Sequence, residues 1–152
     1  MNDTVVPRPC WAVLTKKAED KIVLIQNELV QARTRLESLR ASEQRVQNMY
    51  NEYRDDLNQS DTQSQGMRET MNQRQFMSQL LTLMQRVKTD IVYTENAIIG
   101  IKERMVLAER ERIKMQTLAD QNALAVQREE NKKDQRNMDA LGVMQFNLKP
   151  QT

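Results

Sequence analysis

Apolar residues along the chain fall into two long runs of three- and four-residue steps, separated by a polar gap. The first run is Trp11, Thr15, Ala18, Ile22, Ile25, Leu29, Ala32, Leu36, Leu39, Glu43, Val46, Tyr50, Tyr53 and Leu57, in which only Thr15 and Glu43 are polar. Steps of four and three in strict alternation are the a/d seam of a heptad. A helix that merely lies on a globular core shows a wider stripe that drifts. A seam this narrow buries itself against another helix in a left-handed coiled coil.

The second run is Met77, Leu80, Met84, Val87, Ile91, Thr94, Ile98, Ile101, Met105, Ala108, Arg112, Met115, Ala119, Asn122 and Val126. Its polar members are Thr94, Arg112 and Asn122, so the seam weakens towards its far end, while Phe76, Leu83 and Leu118 lie beside the stripe. Between the runs, Asn58 to Gly66 contains no apolar residue. Ser, Asn and Asp there compete with the helix backbone for hydrogen bonds, and Gly66 can adopt positive φ, so a turn is expected.

These features predict an all-α fold, a long two-helix antiparallel coiled-coil hairpin in one domain over 1–152. Helix one is expected at about 9–57, the turn at about 58–67, helix two at about 68–141, and a flexible tail at 142–152. Two heptad helices joined by a short turn fold back because each can bury its stripe on the other. At 1.5 Å per residue the first is roughly 70 Å long and the second roughly 110 Å. Trp11 should then lie near residues 117–124, and everything after about Val126 should project past helix one. Gly100 falls mid-helix, at a cost of about 1 kcal/mol against alanine, and a close approach of the partner helix would explain it.

The overhang is the most informative part of the pattern. A wholly polar stretch, Arg128 to Asn137, is followed by Met138, Ala140, Leu141, Val143, Met144, Phe146 and Leu148. Apolar residues with no opposing helix either fold back at a frayed end or dock on a partner, and exposed apolar patches favour docking.

Composition sharpens this picture mainly by exclusion. Prolines occur only at 7, 9 and 150, which leaves the whole interior free for helix. Histidine is absent, Cys10 is the only cysteine, and Gly66, Gly100 and Gly142 form no phosphate-binding loop. The usual general base, an internal disulfide, a cysteine-pair zinc site and a nucleotide cradle are therefore all missing. Neither a catalytic residue nor a cofactor or metal site is expected, and no small-molecule substrate.

The aliphatic run Ile22 to Ile25 is far shorter than the roughly 20 residues that cross a bilayer. The chain opens with Asn2 and Asp3 rather than a basic leader and apolar stretch, so a cytoplasmic location is expected. The 23 basic and 21 acidic side chains give a net charge of +2 and alternate along the helices, as in Glu109-Arg110-Glu111-Arg112. That is a solvated helix surface rather than a nucleic-acid-binding face.

Tyr50, Tyr53, Phe76 and Leu80 converge on the turn end from both helices. They either plug the splayed end of the hairpin or form an aromatic contact patch, and one edge of each ring could serve each purpose. Met77, Met84, Met105 and Met115 read as core, whereas Met138 and Met144 suit an adaptable contact surface. Glu43, Arg112 and Asn122 on the seam set register or orientation. Trp11 is expected to cover the open end.

Asn51-Glu52-Tyr53-Arg54, Leu57-Asn58, the polar gap, then Asn72-Gln73-Arg74-Gln75-Phe76 and Leu80 resemble the flagellar FliJ family. Glu130 through Lys132, Lys133 and Asp134 to Met138-Asp139 is similar to that family's C-terminal pattern. The resemblance implies a coiled-coil stalk of the flagellar type III protein export apparatus, similar to the rotor stalk of rotary ATPases. It implies partners: the hexameric export ATPase, the cytoplasmic domain of the export-gate membrane protein, and export chaperones that the stalk escorts. It also implies a monomer when free and a place at the cytoplasmic face of the inner membrane. By carry-over, Tyr53, Phe76 and Leu80 join the gate-contacting face, with Tyr50 adjacent by geometry alone. The ATPase-proximal tip is Met138, Leu141, Met144, Phe146 and Leu148. Two other readings share the pattern: the stalk protein of a virulence injectisome, and a dimeric coiled-coil scaffold whose helix runs straight through Gly66.

Overall fold

The computed structural model describes residues 9–60 and 66–148. It contains two α-helices, α1 (Pro9–Ser60) and α2 (Met67–Leu148), of 52 and 82 residues. Proline at the head of α1 removes an N–H that has no intrahelical partner there and presets a helical φ. At the head of α2, the Glu69 and Thr70 N–H groups donate to the Gly66 carbonyl at 3.1 and 3.3 Å. The Glu69 carboxylate also lies in the first turn, where it complements the positive end of the helix dipole.

Burial follows the heptads. Each seam position of α1 from Trp11 to Leu57, and of α2 from Met77 to Val126, is buried or half-buried, while nearly everything between is exposed. The helices pack against each other as an antiparallel coiled-coil hairpin. Tyr53 meets Phe76, Arg40 meets Glu95, Glu28 meets Arg104, and Glu19 attracts Arg112, so position rises on α2 as it falls on α1. The ion pairs carry the same orientation in their heptad letters. Arg40 and Glu95 are both e, and Glu28 and Arg104 are both g, which is how the flanks of an antiparallel pair meet. These side chains are about half exposed, so they select the register more than they stabilise it.

Two compact units divide the chain. One comprises residues 24–105, and the other residues 1–23 with 106–152. In the first, the buried seam is almost wholly aliphatic, with Ile25, Val46, Leu57, Leu80, Val87, Ile91, Ile98 and Ile101. Thr94 is its buried polar member, and its hydroxyl donates to the Asp90 carbonyl one turn back at 2.8 Å. In the second, the buried seam is Thr15, Ala18, Ile22 and Ala108, with Arg112 and Asn122 half-buried.

Three details depart from the heptad reading. α1 continues three residues beyond Leu57, to Ser60, so the expected turn region is partly helix; residues 61–65 lie outside the described residues. The tail expected to be flexible from 142 is helical through Leu148. A single glycine, Gly142, costs about 1 kcal/mol in a helix and does not end one, and no proline intervenes before Pro150. Residues 149–152 lie outside the described residues. Finally, a Cβ built on Gly100 would meet nothing within 4 Å, so no close approach of α1 requires glycine there.

Candidate functional site

Two places on the molecule carry the residues singled out by sequence: the aromatic end of the 24–105 unit, and the overhang of α2 in the other.

At the aromatic end, Val46, Leu80 and Met84 form a buried cluster, and Tyr50, Tyr53 and Phe76 pack against it. Tyr53 comes from α1 and Phe76 from α2, with ring centroids 4.8 Å apart and planes tilted by 53°. A tilted pair at this distance stabilises by roughly 0.5–1.5 kcal/mol beyond its buried area. All three residues are half-buried, partly packed on the cluster and partly open to solvent. Leu80 is different: only 4% of it is exposed, and it acts as the floor on which the rings rest. Nearby on the seam line, Gln73 Oε1 is buried without a hydrogen-bond partner.

In the overhang, Glu129 is the last residue with partial burial, and every residue from 130 to 148 is exposed. Met138, Leu141, Met144, Phe146 and Leu148 are all among the exposed large hydrophobics, with Phe146 at 78%. At about 100° per residue, Met138, Leu141, Met144 and Leu148 share one flank of the helix. Val143 and Phe146 occupy the other. The tip is therefore apolar around much of its circumference, unlike the one-sided seam that precedes it. The helix there is held by its own backbone and by local pairs such as Gln135 Nε2 donating to Asp139 Oδ1 at 3.2 Å.

Between these places, the polar seam member Arg112 turns to its own helix. Its Nη2 donates to Glu109 Oε1 at 2.6 Å and its Nε at 3.1 Å. The hydrogen bond and charge of Glu109 raise the Arg112 pKa, with a smaller contribution from Glu19 of α1, and the same hydrogen bond lowers that of Glu109. Arg104 is likewise raised by its bond to Glu28. Both pairs are partly open to solvent. Among the described residues no cluster of His, Cys, Asp or Glu could hold a metal ion, and Cys10 is exposed and unpaired. The arrangement offers surfaces for contact.

With this geometry in view, the family comparison is decisive: the FliJ family, described as flagellar FliJ protein, matches residues 12–151. The chain belongs to the FliJ family. Membership ties it to the flagellum and its export apparatus, and both candidate places lie inside the matched span. No curated protein and no solved structure matches the chain. Among the described residues no helix is long and apolar enough to cross a membrane.

One exposed aromatic of this FliJ-family chain escaped the sequence reading. Tyr93 is 76% exposed at heptad position c, outside the seam, and its position in the heptad was the available signal.

Proposed function

We propose that the chain is a stalk of the flagellar type III export apparatus, in the cytoplasm, peripheral to the inner membrane. Its overhanging tip engages the hexameric export ATPase, and its aromatic end engages the cytoplasmic part of the export gate. The same stalk escorts export chaperones. One observation carries the reading: a FliJ-family match spanning 12–151 on a helix whose last turns expose Met138, Leu141, Met144, Phe146 and Leu148. A helix with apolar flanks that no described residue of its own molecule covers favours insertion into a partner.

In the 24–105 unit, the solvent-exposed parts of Tyr50, Tyr53 and Phe76 supply the contact, and Leu80 holds them in place from beneath. The chain's part in ATP hydrolysis is to favour some conformations of the ATPase subunits over others by differential contact.

The test is co-purification with the export ATPase hexamer, with hydrolysis measured in the presence and absence of the chain. Deleting residues 138–152 should leave the helicity of the rest nearly intact and weaken ATPase association. Equal binding by the truncated protein would remove the tip assignment. Phe76→Ala should reduce gate binding or motility by more than its loss in melting temperature explains. A collapse of the fold would instead make that ring purely structural.

A further inference from the structure

We infer that the hairpin opens from its free end in a step of its own, so that the unpaired length of α2 is variable rather than fixed at residues 130–148. The inference stands on packing inside each unit and does not depend on the export reading.

In the unit made by residues 9–23 and 106–148, the fully buried seam offers one large aliphatic side chain, Ile22, beside Thr15, Ala18 and Ala108, while the larger Trp11, Met115 and Val126 are only half-buried. Alanine buries little apolar surface, and the Thr15 hydroxyl spends its hydrogen bond on its own helix, donating to the Trp11 carbonyl at 2.8 Å. Arg112 also satisfies itself on its own helix through Glu109, so its link to α1 is the longer-range attraction of Glu19. That attraction is weak in water and weaker in salt.

The unit of residues 24–105 has its own polar seam members, buried Thr94 and half-buried Glu43, but it surrounds them with Ile25, Val46, Leu57, Leu80, Met84, Val87, Ile91, Ile98 and Ile101. A ring pair also bridges α1 and α2 there, and the Arg40–Glu95 and Glu28–Arg104 contacts cross between the helices. Released from α2, residues 11–22 are held only as an unpacked extension of α1, and a helix end without tertiary packing frays in water. Opening therefore melts the head of α1 and lengthens the free part of α2 back to about residue 108. The device sets how far α2 can reach as a single helix.

Hydrogen exchange on the full-length chain tests this. Amides of 11–22 should exchange at least about tenfold faster than those of 40–57 and 80–101, with a denaturant dependence of their own and a smaller slope. The overhang, 130–148, should exchange fastest of all. Filling the seam with Thr15→Val and Arg112→Leu together should slow 11–22 by about tenfold and leave 80–101 unchanged; Ile22→Ala should accelerate 11–22 and likewise leave 80–101 unchanged. A single opening free energy shared by both units in the unmodified chain would overturn the inference. So would seam-filling and seam-emptying variants that shift both units equally.

Discussion

Residues 24–105 and residues 1–23 with 106–148 share one heptad rhythm and one pairing direction, yet they fill the seam with different chemistry. The first unit places Ile, Leu, Val and Met where the helices meet and closes on an aromatic pair. The second places Thr, Ala, Arg and Asn among Trp11, Ile22, Met115 and Val126 on the same line and continues into a helix whose residues 130–148 are all exposed. A heptad seam specifies that two helices pair, whereas the size of the seam residues decides how firmly. One unit is thus well packed, and the other is more loosely packed and carries an exposed apolar tip.

The largest effect separating the two should come from deleting equal side chains in each. Leu80→Ala leaves a cavity beside Val46 and Met84 and should cost about 2–4 kcal/mol in urea or thermal unfolding. Leu141→Ala removes a side chain that already faces solvent and should change stability by less than about 0.5 kcal/mol. Similar losses at both positions would mean that the tip is covered within its own molecule.

A smaller effect sharpens the comparison through glycine. Gly100→Ala and Gly142→Ala each add a methyl group into open space within a helix. Each should gain about 0.5–1 kcal/mol of local helix stability. In the 24–105 unit the gain should register in the main unfolding transition. In the overhang it should register only as slower amide exchange around residue 142, because no seam couples it to the rest.

The smallest effect is electrostatic. Its hydrogen bond to Arg112 holds the folded Glu109 pKa below the ordinary carboxylate value near 4.5. A depressed folded pKa contributes stability that is present above the unfolded pKa and fades as pH falls through the folded one. The contribution should therefore be complete at neutral pH and shrink below about pH 4.5. Both side chains keep about a third or more of their surface open to solvent, so the change is slight. Comparing Arg112→Gln with the unmodified chain across that interval, by amide exchange in 108–126, isolates it.

The a/d steps made the helices, their pairing and their direction legible without coordinates. The overhang followed from the unequal length of the two runs, and it begins within a few residues of Val126 as the steps imply. The boundary at 142 was not legible, because a lone glycine is a small local cost whose outcome depends on the helix around it. Gly100 misled for the same reason. The different standing of Leu80 and its neighbours was hidden too: the sequence groups Leu80 with Tyr50, Tyr53 and Phe76. In the fold one residue lies under the others.

By itself the sequence determined two paired helices, a polar break and an apolar end, since heptad spacing, proline placement and hydrogen-bonding competition all act locally along the chain. Tertiary structure decided that Leu80 is buried while Tyr50, Tyr53 and Phe76 are half-exposed, which ion pairs cross between helices, and that Arg112 bonds to its own helix. Those outcomes depend on where a neighbouring helix sits in three dimensions, and periodicity along a chain carries no information about that distance.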